Sequence, residues 1–167
     1  MSERIQYTMV SPEGVEVLGD VYNYVIRSGL PVVLLELVFL RVSQINGCAY
    51  CVDMHTRSLL HHGASAEKLA LVPLWREVPA LFDERELAAL AWAETVTRVA
   101  DTGVPDEHYR AAQAEFCDKE LVDLTIAIGL MNAYNRMGIS FRKSPRAVMA
   151  HLAKTGEGTT ATIQERL

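Results

Sequence analysis

Helix start and stop signals recur along the chain, and no alternating apolar–polar run of useful length competes with them as a strand. Pro12-Glu13-Gly14 opens an amphipathic stretch that runs to about Ser28, where Ser28-Gly29 is a stop signal. Pro31 suits the first turn of a helix that continues to about Gln44. Asn46-Gly47 breaks that helix, and the next is expected to begin at or near Cys48 and to end at Gly63, a C-terminal cap. Ser65-Ala66-Glu67-Lys68 restarts a short helix ending around Pro73. Asp83, with Glu86 three residues on, resembles a capping box for a helix reaching about Val99. Asp101-Thr102-Gly103 reads as a loop, followed by helices from Pro105 to Phe116 and from Asp118 to Ser140. The expectation is one all-α domain of about six or seven helices over residues 1–155. Residues 156–167 are mostly small and polar, a tail that frays unless it docks on a neighbouring subunit.

Composition narrows the function classes. Half of the 167 residues are hydrophobic, enough for a sizeable core, and the length suits a single domain. A formal net charge of −5 argues against a general nucleic-acid surface. Three cysteines are too few, and odd in number, for a secreted disulfide scaffold. The apolar run Leu30–Leu40 is too short to span a bilayer and is interrupted by Glu36, and MSERIQYTMV lacks the pattern of a signal peptide. A cytoplasmic protein is expected, with neither a nucleic acid nor a membrane as partner.

Chemistry concentrates in Gly47-Cys48-Ala49-Tyr50-Cys51-Val52-Asp53-Met54-His55. On a helix, Cys48, Cys51 and His55 fall within an arc of about 60°, while Tyr50 and Asp53 point elsewhere. The Asn46-Gly47 break puts both cysteines in a first helical turn, where free N–H groups and the helix dipole favour a thiolate. There the pair can close a disulfide: one thiolate attacks and the other resolves the product. Glu36, the one charge in its apolar run, needs a partner if buried. An antiparallel return after Asn46-Gly47 would bring it level with His55, giving a Glu–His–Cys relay.

Other readings compete. Cys48 and Cys51 could be two small buried side chains, and Cys48, Cys51, His55 and Glu36 could together hold zinc, although structural zinc sites usually draw a ligand pair from a distant segment. His61 and His62 read as half-exposed residues at a helix end, and Cys117 as a core or semi-buried thiol within a helix. Asn132, Asn135 and Arg136 either line the site or an interface, or make interhelical hydrogen bonds and a salt bridge. Trp75 and Trp92 read as packing anchors, Met131 and Met137 as gap-fillers. The acidic clusters Asp83–Glu86 and Asp118–Glu120 mark helix starts.

Glu36-x11-Cys48-x2-Cys51-x3-His55, with Gly63 and Asn132-Ala133-Tyr134-Asn135-Arg136, resembles the AhpD-like alkylhydroperoxidases of the carboxymuconolactone decarboxylase superfamily over roughly Val32 to Arg142. The resemblance implies an all-helical, oligomeric fold, a trimer or hexamer. It implies Cys51 as the peroxidatic cysteine, Cys48 as the resolving one, and His55 with Glu36 as the proton relay. Tyr50 stands where the best-known peroxidase of the family has a histidine. The lactone decarboxylases of the superfamily generally lack the cysteine pair. The expected function is therefore a thiol-dependent peroxidase that takes a peroxide and is reset by a dithiol or lipoyl-type reductant, with no metal or organic cofactor. The alternatives are an oligomeric redox-responsive or structural protein, and a lactone decarboxylase-like enzyme that works without the thiols.

Overall fold

The computed structural model describes residues 2–155, and the expected tail 156–167 lies outside them. The described chain is helical, without strands. Its α-helices are α1 (Tyr7–Val10), α2 (Pro12–Ile26), α3 (Val32–Asn46), α4 (Ala49–His61), α5 (Ala66–Leu71), α6 (Glu84–Thr97), α7 (Val99–Thr102), α8 (Asp106–Glu115), α9 (Asp118–Ser140) and α10 (Arg146–Thr155). Two 3₁₀ turns, Val72–Glu77 and Pro79–Leu81, join α5 to α6. None of these helices is long and apolar enough to cross a membrane.

The count exceeds the expected six or seven. The seven expected helices are present, and α1, α7 and α10 are additional. The first two are four-residue pieces, too short for a periodic signal to register. Thr102, expected in a loop, closes α7, and Gly103 caps it with a left-handed backbone at φ 62°. Helix α10 follows Ser144-Pro145, beyond the last apolar run, and its first turn is set partly by the Ala147 N–H donating to Asp53.

Helix α3 is the centre of the molecule. Leu34 to Leu40 are all buried, which no amphipathic surface helix permits, so neighbours cover α3 on several sides. Leu35, Val38, Phe39 and Val42 pack with Trp92 of α6 and Leu124, Ile128 and Met131 of α9. Leu37 and Leu40 face a second cluster with Leu59 of α4, Trp75 and Leu90. Each such side chain contributes about 1.5–3 kcal/mol by leaving water. The tryptophans anchor packing as expected, and each indole N–H is satisfied: Trp75 by Glu94 at 2.9 Å, Trp92 by Thr125 at 2.9 Å.

Polar groups lock the helices to one another. Buried Asp123 of α9 accepts from the Tyr24 hydroxyl of α2 at 2.7 Å and from Lys119. Glu94 of α6 accepts from Arg41 of α3 and from Trp75 and Arg76 of the 3₁₀ turn. The capping box of α6 forms as expected, Asp83 accepting from the Glu86 N–H and Glu86 from the Asp83 N–H. Cys117 departs from its expectation. It is exposed at the N-cap of α9, where Glu120 accepts its backbone N–H at 3.1 Å.

Candidate active site

The α3–α4 junction places the chemistry. Gly47 takes a left-handed backbone at φ 73° and reverses the chain, so α4 packs back along α3. Cys48 is the N-cap of α4 rather than a residue of its first turn, and its sulfur accepts the Cys51 N–H at 3.4 Å. The helix begins next to Cys48 as expected, and the cysteine sulfur itself serves as the cap. The two sulfurs are joined in a disulfide, with the Cα atoms 5.4 Å apart, and both residues are buried.

One turn beyond Cys51, His55 is 2% exposed and its Nδ1 lies 2.7 Å from Oε2 of Glu36. The buried carboxylate of α3 thus has the partner it requires, supplied by the antiparallel return. With Nδ1 engaged by Glu36, the other ring nitrogen, Nε2, is buried without a hydrogen-bond partner in the structure. The Phe39 ring packs at 5.3 Å from the imidazole and helps hold its plane.

A cavity of about 480 Å³ opens beside this pair, and Glu36, Cys51 and His55 all line it. Cys48 does not line it; both sulfurs lie against α9, where a Cβ built on Gly138 would come within 3.1 Å of the Cys48 sulfur and 3.7 Å of that of Cys51. Apolar side chains such as Val15, Met54 and Met131 form much of the wall, with Tyr7, Tyr22, Tyr50 and Tyr134 and the cation of Lys143. Burial, with the nearby charge of Glu36, pushes the Tyr22 hydroxyl above its ordinary range, and burial does the same at Tyr134. Both are neutral donors near pH 7. Met131 fills space as expected and also borders the cavity.

Several residues stand apart from their expected places. Tyr50 does not point away from the site; it lines the cavity, with Lys143 Nζ 4.6 Å from its ring centroid. On α4 Tyr50 sits one residue, about 100°, from Cys51, and its long side chain still reaches the cavity wall. Asp53 stays off this wall and bonds Arg57 at 3.0 Å. His61 and His62 are exposed at the helix end, His62 bonding the Ser58 carbonyl, and take no part. Asn132 and Asn135 take the interhelical role: Asn46 Nδ2 donates to both, at 3.0 and 2.9 Å, and Asn135 donates to Ser43. This network pins the end of α3 to α9 just ahead of Cys48. Arg136 bonds Asn132 rather than a carboxylate.

Gly138 and Lys143 carried no functional signal beyond a glycine inside a long helix, which hints at close packing. Tyr7, Tyr22 and Lys143 come from distant parts of the chain, with nothing local to connect them to the cysteines. Among the described residues, no group of three or more His, Cys, Asp or Glu is arranged to hold a metal ion.

The model of the carboxymuconolactone decarboxylase family matches residues 12–95. The uncharacterised Bacillus subtilis (strain 168) protein YdfG is 34% identical over 140 residues, 84% of this chain and 95% of that protein. A crystal structure from Agrobacterium tumefaciens, of a protein of unknown function provisionally placed with the antioxidant defence protein AhpD, aligns with a TM-score of 0.83 at 42% identity. The alignment covers 86% of this chain and 98% of that one. At 22% identity, the fold is shared with an uncharacterised peroxidase-related protein of Silicibacter sp. TM1040, with a TM-score of 0.72 over 81% of this chain and 71% of that one.

Proposed function

The chain belongs to the carboxymuconolactone decarboxylase family, and on that premise we propose that it is an AhpD-type thiol peroxidase that reduces a hydroperoxide through Cys51 and Cys48. The observation that carries the reading is the division of the disulfide. Cys51 lines the cavity together with His55 and Glu36, whereas Cys48 does not. A substrate in the cavity meets Cys51 first.

In the reduced protein the Cys51 thiolate attacks the terminal oxygen of the hydroperoxide, breaking the O–O bond and forming a sulfenic acid. The departing alkoxide takes a proton delivered through His55, whose Nδ1 is held by Glu36 and whose Nε2 is the free end of the relay. The Cys48 thiol then displaces water from the sulfenic acid and closes the disulfide. The sum is one hydroperoxide and two thiols giving one alcohol, one water and one disulfide. An external dithiol, such as a lipoyl-type one, takes up the oxidising equivalents and restores the thiols. The same reading carries assembly as a trimer or hexamer, which light scattering on the purified protein tests.

The experiment is a thiol count on the reduced protein before and after one equivalent of hydroperoxide. Two thiols are expected to disappear in the wild type. Cys51→Ser should leave both the remaining thiols and the peroxide intact. Cys48→Ser should consume one equivalent and stop at a sulfenic acid that dimedone traps. Full turnover by Cys51→Ser would overturn the assignment.

A further inference from the structure

The cavity is far larger than hydrogen peroxide needs, and it carries a cation that the peroxidase chemistry above does not use. Lys143 lines it half-buried, and among the described residues no carboxylate lies within ion-pair distance of its ammonium. Its neighbours are neutral: Nζ is 3.4 Å from the Tyr7 hydroxyl, 5.2 Å from the Tyr7 ring centroid and 4.6 Å from that of Tyr50. Burial alone would lower its basicity, but Tyr7 and Tyr50 outweigh it and raise the pKa, so the side chain is charged near pH 7. The carboxylate and the imidazole in the same wall, Glu36 and His55, are committed to each other.

The backbone holds this cation in place. The Lys143 N–H bonds the Gly138 carbonyl at 2.9 Å and the Arg142 N–H bonds that of Ile139 at 3.2 Å, a Schellman closure of α9. Arg142 occupies its left-handed position at φ 57°, where glycine is the usual residue. Gly138 is also the residue against which the Cys48 sulfur rests. One short segment therefore positions both the sulfur pair and the cation, and Tyr50, under the ammonium, is the chain neighbour of Cys51.

We infer that Lys143 is a specificity-determining residue that selects an apolar organic hydroperoxide bearing a carboxylate, its apolar body against Met54 and Met131 and its acid group on the ammonium. This rests on the peroxidase reading for the reactive end only. A carboxylate in the cavity supplies the counter-charge that the fold leaves out, and an ion pair formed away from bulk water discriminates more strongly than one at an open surface.

The test compares cumene hydroperoxide with its 4-carboxy derivative on wild type, Lys143→Met and Lys143→Arg, reading kcat/KM for each pair. The wild type should favour the acid by about tenfold. Lys143→Met should bring the ratio near one, and Lys143→Arg should keep most of it. A merely bracing role toward Tyr7 and Tyr50 would lower both substrates together and leave the ratio unchanged, which overturns the inference, as does a wild type without preference. If neither hydroperoxide is consumed, the peroxidase reading fails and the acid site is judged by calorimetric binding of 4-isopropylbenzoate against 4-isopropylbenzyl alcohol. Tighter binding of the benzoate that Lys143→Met abolishes supports the site; equal binding of the two overturns it.

Discussion

Glu36 and His55, nineteen residues apart in sequence, meet at 2.7 Å in the interior, on facing helices and beside the wall that Cys51 shares. The carboxylate orients the imidazole through Nδ1 and so determines which nitrogen is free to serve the cavity. Glu36→Gln keeps the shape but changes the hydrogen-bond partner offered to Nδ1. Peroxide turnover should fall by roughly a hundredfold, with the helical circular-dichroism spectrum unchanged. Turnover within twofold of wild type would remove Glu36 from the relay.

Gly138 leaves room for the sulfurs. A Cβ there would lie 3.1 Å from the Cys48 sulfur and 3.7 Å from that of Cys51. The crowding falls on the bonded form, since a free Cys48 thiol can rotate away. Gly138→Ala should therefore make the disulfide easier to reduce, shifting the dithiol–disulfide ratio in a glutathione buffer by about tenfold, or roughly 30 mV. The gain in helix propensity from alanine acts on both redox forms and cancels in this ratio.

Glu94 ties three elements together, and its protonation should show in acid. Burial pushes its carboxyl up, but bonds from Arg76, Trp75 and Arg41 outweigh that and hold it below its ordinary range. A depressed carboxyl stabilises the fold fully above the unfolded value of about 4.3. That contribution is lost as pH falls through the lower folded value. Glu94→Gln should cost about 2 kcal/mol at pH 7 in urea denaturation. The gap to wild type should narrow steadily below about pH 4; a gap independent of pH would mean that packing, not charge, accounts for the loss.

Arg142 holds the left-handed position that closes α9. Relief of that strain by Arg142→Gly outweighs the added freedom of the unfolded chain, and the variant should be more stable by about 0.5–1 kcal/mol. The corresponding rise in Tm is roughly 1–4 °C for a chain of this size. A lower Tm would show that contacts of the arginine side chain exceed the strain.

The local patterns carried much of the fold. The capping box at Asp83, the break at Asn46-Gly47 and the bounds of the Asp118–Ser140 helix could be read because each depends on neighbours within a turn or two. The same holds for the core of the site. Cys48, Cys51 and His55 share one local segment, and a lone carboxylate in an apolar run demands a partner whatever surrounds it.

By itself, the sequence determined the helical class, the α3–α4 reversal and the four residues of the candidate site, since short-range sterics, capping and the cost of a buried charge act within or between adjacent helices. Only the tertiary structure decided which sulfur meets the cavity, that Tyr50 faces it, and that Tyr7, Tyr22 and Lys143 complete its wall. Those placements depend on how α1, α2 and the end of α9 come together around the cavity beside α4. Helix packing is set by the fit of many side chains across long sequence separations, and no residue in the cysteine segment encodes it.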